Sequence, residues 1–354
     1  MSIKHQDINV LRAYKGTSLI KKIYAGNKII FNHYDNVISR YASIVDLLGG
    51  NGQDAINLYN TIPNEIRSNA KIILMPFTIA PGIVYAMDNV TGELIPFNFS
   101  RASSATLFDK DKNMELVGNN MPRIDYGNYT DDVKLLVEKE STNLIVDSAL
   151  ATNTQSVYHS SVSLVNINWF DYIKTGRSIP HVANTDIYAY KQSAITNTLN
   201  YAMSSFVLMN DGSIPNFKSS ENTVNGAFII DTQPFSLKAI NKLIKDNIYR
   251  VYGTRSATRT ITGNNGIVKY RNNYGGTINA SGYQLEQGDT ATSYIPTTTT
   301  TATRAADQLT YTLSQNSSVY LKTNKRETTF SKNAGLWNIH EDLDNEGIQI
   351  LAII

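Results

Sequence analysis

The sequence contains no cysteine, which excludes disulfide staples and thiolate-bound zinc. A protein folded in a reducing cytoplasm has this composition, and so does a component of a particle assembled there. No apolar run is long enough to span a membrane. Neither charge sign dominates: 32 Lys and Arg face 30 Asp and Glu, and no sustained basic patch occurs. Nucleic acid is therefore not an expected partner. The opening "MSIKHQDINVLRAYKG" lacks the continuous apolar core of a secretory leader. Phosphate-binding loops, nucleophile elbows and H-E-x-x-H are all missing. His5, His33, His159, His181 and His340 form no i,i+4 pair, so no metal or cofactor is expected. No internal repeat of fixed period is present.

What remains is a chain of 354 residues, 42% apolar and only 18% charged, enough to bury a core in roughly two domains. It is rich in Asn, Thr and Ser and carries 21 tyrosines, a mixture that favours strands and turns. In "KKIYAGNKIIF" two short runs flank Gly26-Asn27, a hairpin signal. Residues 1–34 are thus expected to form a small β segment. Val37, Tyr41, Ile44, Val45 and Leu48 recur with helical spacing, and "GGNG" at 49–52 ends that pattern. With only two heptads, the stripe is read as core rather than as a coiled-coil seam. "QDAINLYN" suits a further short helix, so 35–76 reads as a helical connector.

From residue 71 the period changes to two. "KIILMPF", "GIVYAMD", "ELIPFNFS", "ATLFDKD" and later runs of the same kind are split by Pro, Gly, Asn and Asp. This cadence predicts an antiparallel jelly-roll β-sandwich over 77–315, so the fold class is mainly β. "SLKAINKLIKDN", 236–247, is the one helical pattern within it. Residues 316–354 read as a C-terminal β segment. Its closing apolar run, Ile350 to Ile354, is expected to be paired, within the chain or with another subunit. "YQLEQGDTATSYIPTTTTTATRAAD" holds five threonines after Pro296. β-Branched residues favour extended backbone, so the segment is read as a half-buried strand around Tyr283 and Leu285, a corner and an ordered return, not a tether.

Three elements together, "FNFSRASSATLFDKDKNMELVGNNMPRIDY", "LLVEKESTNLIVDSA" and the threonine-bearing segment, resemble a β-sandwich module of tailed-bacteriophage tail and fibre proteins, similar to carbohydrate-binding, lectin-like jelly rolls. The N-terminal "IKKIYAGNKIIF" resembles the short β segment that opens many phage virion proteins. The Asn-, Lys-, Ile- and Tyr-rich style resembles phages of gut Bacteroidales, including crAss-like phages. The resemblance covers about 77–312 plus the hairpin. It implies a structural virion protein, a head or tail fibre or decoration appendage made in the host cytoplasm. It also implies other virion proteins as partners, self-association with a trimer favoured, and host glycans as ligands. Ile23, Tyr24, Ile29 and Phe31 would mediate attachment to the particle. Arg101, Arg123, Tyr294, Arg304 and Asp307 take structural roles, with Arg304 and Asp307 bonding to the closing turn or to the opening "SRASS". Where related chains have Gly in the hairpin after "FD", this one has Asn113, which tolerates a left-handed turn.

A sugar site needs an exposed aromatic platform beside a few polar groups. Trp169, Phe170 and Tyr172 in "NWFDYIK", and Tyr270 with Tyr274 in "KYRNNYGG", are candidates, with Asp171, Asn272 and Asn273 as hydrogen-bonding partners. The alternative is that Trp169 is core and the tyrosines line sheet faces; Trp337 is read as a core anchor. Asp109, Asp111 and Asn113 begin like a calcium loop, but Met114 and Asn120 stand where Gly and Glu are required. The carboxylate pairs Glu286 with Asp289, and Glu138 with Glu140 on one strand face, are the material for the competing function, a polysaccharide-degrading enzyme. Binding without turnover is the preferred expectation.

Overall fold

The structure, a computed structural model, describes residues 3–5, 8–10, 24–25, 28–29, 37–128, 130, 132–149, 157–158, 160–182, 187–195, 199–215, 217–219, 227–230, 240–256, 261–270 and 276–354. The chain is mainly β, with antiparallel pairing everywhere among these residues except where Ala227–Ile230 runs parallel to Ile261–Tyr270. The first strands form a four-stranded sheet in chain order, and Tyr24 lies opposite Ile29 in the hairpin that the sequence predicts. Ile23 and Phe31 lie outside the described residues.

Three short helices follow. In Val37–Leu47 the stripe Ile38, Tyr41, Ile44 and Val45 is buried. Leu48, expected on that face, is instead exposed, because the helix has already ended and Gly49 has turned to φ +85°. Gly52–Asn60 starts at Asn51, whose Oδ1 accepts from the backbone of Gln53 at 3.0 Å, the usual way to satisfy an orphan N–H. A third helix, Asn64–Asn69, follows Pro63 and was not foreseen.

These helices cover one face of a curled, eleven-stranded sheet. Its centre is the strand Glu346–Ile353, buried at all eight positions. Alternation explains this, with one slip where the ladder breaks register opposite Lys322 and Thr323, between Ile348 and Ile350. Ile348, Leu351 and Ile353 point into the curl with Leu74, Val84, Phe97 and Trp337. Ile350 and Ala352 point the other way, against Tyr41, Val45, Ala55 and Ile73. The apolar run is therefore paired within its own chain, with Ile72–Leu74, Ser317–Thr323 and Lys134–Val137. Each large aliphatic side chain buried here contributes about 1.5–3 kcal/mol.

The second β body has a six-stranded sheet in the order Ser163–Phe170, Ile173–Ile179, Ile278–Gln287, Asn200–Met209, Ile248–Ser256 and Ile240–Lys245. A five-stranded sheet joins Val157–Tyr158, Ile187–Ile195, Ile261–Tyr270, Ala227–Ile230 and Phe217–Ser219. Ile187 and Ala189 of the latter share a core with Met203, Val207, Val251, Ile278 and Leu285 of the former. On the opposite face of the six-stranded sheet, Phe170, Ile173, Phe206 and Ile248 pack under Phe108 and Met114 of the hairpin 105–117.

Two sequence expectations need correction here. Within 236–247 the described stretch Ile240–Lys245 is an edge strand and not a helix. Its partner follows across Asp246-Asn247, both left-handed at φ +48° and +61°, which suits a tight hairpin turn. The strand around Tyr283 is buried on both faces rather than half-buried. Its ladder is interrupted opposite Ser204 and Phe206. Gly282 sits there at φ +62°, where a Cβ would stand 2.6 Å from Phe206 Cδ2, the setting of a glycine bulge.

Candidate functional site

The two faces of the strand Ile278–Gln287 set up the site. Ile278, Ala280, Tyr283 and Leu285 serve the apolar core, while Ser281, Gln284 and Glu286 are buried on the polar side. Buried polar groups need partners, and the quoted sequence elements supply them. Arg101 Nη1 donates to Asp307 Oδ1 at 3.0 Å, with its remaining donors on the carbonyls of Ser103 and Gly118, both at 2.8 Å. Arg123 Nη2 bridges Asp307 and Glu138 (2.8 Å to the latter). Arg304 approaches Glu138 at 3.5 Å and donates to the Lys139 carbonyl at 2.6 Å. Glu138 Oε1 also accepts from the backbone N–H of Ser293 at 2.8 Å. The side chains of Arg123, Glu138 and Asp307 have no exposure at all.

Three guanidiniums thus meet two carboxylates, and backbone carbonyls take up the surplus positive charge. Burial opposes ionised Arg123, but Asp307 and Glu138 outweigh it and raise its pKa. For Arg101 burial wins over Asp307, and the pKa falls. Around this centre the network continues. Glu286 accepts from Ser141 Oγ and Gln284 Nε2, both at 2.6 Å, and from the backbone and hydroxyl of Thr292. Asp125 pairs with Lys134 at 3.3 Å and accepts from the N–H groups of Phe108 and Asn128. Arg250 reaches Asn128 Oδ1 at 2.9 Å and Ser204 Oγ at 3.0 Å. Tyr294 packs edge-on to Phe206, and its hydroxyl meets Ser148 Oγ at 2.5 Å. Glu138 and Asp307 sit at ends of curled-sheet strands, whereas Glu286 belongs to the six-stranded sheet; the network welds one to the other.

The threonine tract belongs to the same weld. Thr297 is buried and donates to the Ile145 carbonyl at 2.5 Å, while its N–H donates to Ser148 Oγ at 3.1 Å. Thr298 to Thr301 are exposed, but the Thr298 carbonyl accepts from Asp147 N at 2.6 Å and Ala302–Arg304 pairs with Ser141–Asn143. The segment is an ordered return. Glu138, Asp125, Glu286, Ser293 and Arg250 were not singled out as network members from sequence.

Of the aromatic residues anticipated for a platform, Trp169, Phe170, Tyr172 and Tyr270 are among the described residues. Trp169 packs against the core that holds Phe170. Tyr172 is exposed, and Asp171 beside it pairs with Lys174 at 3.0 Å in the open. Tyr270 lies in a strand of the five-stranded sheet; Asn272, Asn273 and Tyr274 fall outside the described residues. Trp337 is buried inside the curl, its Nε1 donating to Asp342 at 2.6 Å.

The carboxylate pairs do not stand as expected. Glu138 is buried while Glu140 is exposed, because the strand ends at Val137. Glu286 is likewise enclosed. The Asp109 turn is closed by Asn113, whose N–H donates to Asp109 Oδ1 at 2.8 Å, and Lys245 Nζ bonds to Asn113 Oδ1 at 2.6 Å. The left-handed residue of that turn is Lys112, φ +62°, and not Asn113. Among the described residues no three His, Asp or Glu side chains are placed to hold a metal.

A further groove was not marked by the sequence. It lies between the helix Gly52–Asn60 and the curled sheet, has a volume of about 450 Å³, and is lined by Asp54, Asn57, Tyr126, Asp132, Lys322 and Gln349 among others. Compared with known proteins, the chain matches no protein-family model and no curated sequence.

Proposed function

We propose that this chain is a structural appendage of a tailed-phage particle, a fibre or decoration protein. Its N-terminal β segment joins neighbouring virion proteins, and its β body holds host-surface or mucus glycans without turning them over. The observation that carries this reading is the weld. The most specific sequence elements converge on a buried ion network that joins sheets, and their carboxylates are committed to arginines and backbone N–H groups. Such elements serve rigidity, which an adhesive projection needs.

The finer fold, a jelly-roll sandwich, draws support from strand order. In the six-stranded sheet Ile173–Ile179 and Ile278–Gln287 are neighbours, followed by Asn200–Met209 and Ile248–Ser256. Early and late strands lying side by side are what a folded-over double hairpin produces. The parallel pairing of Ala227–Ile230 departs from that scheme. Self-association, with a trimer favoured, follows from the resemblance to phage fibres. Multivalent display would convert weak single-site affinity into firm attachment.

Deleting residues 1–34 should leave a folded body that no longer joins particles. Particles that still incorporate the shortened chain would refute the anchoring role. A second reading, polysaccharide cleavage, is favoured only by the two carboxylates, Asp54 and Asp132, lining one groove. Release of reducing ends from host capsule would establish it and displace the first.

A further inference from the structure

The groove beneath the helix Gly52–Asn60 gathers side chains whose hydrogen-bonding capacity is unspent. Asp54 and Asn57 come from one helix face, three residues apart. Tyr126 follows the strand Arg123–Asp125, Asp132 precedes Lys134–Val137, and Lys322 and Gln349 come from two paired strands of the curled sheet. Gln349 Nε2 donates to Asp132 Oδ2 at 3.1 Å, which fixes that carboxylate. Asn57 Oδ1 accepts from Gln53 Nε2 at 2.9 Å, leaving its own amide hydrogens to donate. The Asp54 carboxylate, the half-buried Tyr126 hydroxyl and the half-buried Lys322 ammonium have no hydrogen-bond or ion-pair partner among the described residues. Burial, and then Asp54, raises the Tyr126 pKa, so the phenol stays a neutral donor.

We infer that this groove binds an uncharged sugar unit of a surface glycan. The inference rests on the glycan-holding reading above and gives it a place. A pyranose offers hydroxyls that both donate and accept, and C–H faces that suit an aromatic ring. The groove answers with an acceptor in Asp54, donors in Asn57 and Lys322, and the ring and hydroxyl of Tyr126. Its volume lies within the ~300–1,000 Å³ typical of ligand pockets. Two carboxylates against one ammonium leave the lining net negative, which disfavours uronic and sialic acids.

The test applies the full chain to an array of neutral, N-acetylated and acidic oligosaccharides. The best-bound probe is then titrated calorimetrically against wild type, Asn57→Ala, Lys322→Met and, away from the groove, Thr299→Ala on the exposed threonine stretch. A neutral or N-acetylated probe should bind. Each groove variant should weaken it by up to about tenfold, the loss of one hydrogen bond, with unchanged thermal unfolding, while Thr299→Ala binds as wild type. Neutral-sugar binding that ignores both groove variants would overturn the site and leave the glycan reading standing. A preference for acidic sugars would overturn the ligand class. An array without any bound glycan would overturn the glycan reading itself.

Discussion

Replacing Asp307 by Asn tests the weld at its centre. The carboxylate uses both oxygens: Oδ1 takes Arg101 at 3.0 Å, and Oδ2 takes Arg123 and the Glu138 N–H at 2.9 Å. Asn keeps the shape but turns one oxygen into a donor facing donors. It also leaves three guanidiniums with only Glu138, in a place with no solvent exposure. Removing one member of a buried ion pair costs about 3–5 kcal/mol, a large share of the ~5–15 kcal/mol that holds a typical fold. At roughly 2–4 °C per kcal/mol for a body of this size, thermal unfolding followed by circular dichroism should fall by about 6–20 °C. Adding Arg101→Met removes the surplus charge, so the double variant should lose less than the sum of the two singles. Asp171→Asn, which breaks an exposed pair, should leave the transition in place. An Asp307→Asn protein melting within about 2 °C of wild type would refute the argument, since the ~3–5 kcal/mol penalty could not then exist.

Two further predictions concern hydroxyl groups. Thr297→Val should destabilise by about 1–3 kcal/mol in urea unfolding, because Ser148 and Ile145 lose a buried partner; Thr299→Ala, on the exposed stretch of the same tract, should stay within about 0.5 kcal/mol. Equal effects would mean that the tract is not anchored at Thr297. Burial raises the pKa of Tyr41 and Tyr294 well above the ordinary value of 10.0. Above pH ~10 the unfolded chain ionises these phenols first, so it binds fewer protons and stability falls as pH rises, by about 1.4 kcal/mol per pH unit for each tyrosine. Stability measured from pH 8 to 12 should be flat and then decline, less steeply in Tyr294→Phe; an unchanged slope in that variant would remove the assignment.

Much of the β architecture was legible because alternation and turn chemistry are local. The pairing of Tyr24 with Ile29, the Asp109 turn and the helix stop at Gly49 all sit where the sequence puts them. The failure at 236–247 has a local cause too. Ile240, Leu243 and Ile244 happen to share helical spacing, but pairing with Ile248–Ser256 overrode it, and Asp246-Asn247 was the available hairpin signal. The weld was visible only by halves. Arg101, Arg304 and Asp307 stood out by their motifs, yet Glu138 read only as one of two carboxylates on a strand face, since a charge at the end of "KLLVE" is buried only when partners such as Asp307, 169 positions away, arrive. The groove lining was beyond reach for the same reason: four separate segments meet there, and only Tyr126, at the end of "NNMPRIDY", belongs to an element that carries the resemblance.

Pairing across the strand Glu346–Ile353 has a consequence for synthesis. Ile72–Leu74 leaves the ribosome about 280 residues before its partner in that ladder. At roughly 5–20 residues per second the wait is on the order of tens of seconds. Throughout that interval an aliphatic edge stands uncovered on the nascent chain. Chaperone engagement during translation, and sensitivity to premature stop codons upstream of that last pairing partner, are the biological costs of placing the keystone so late.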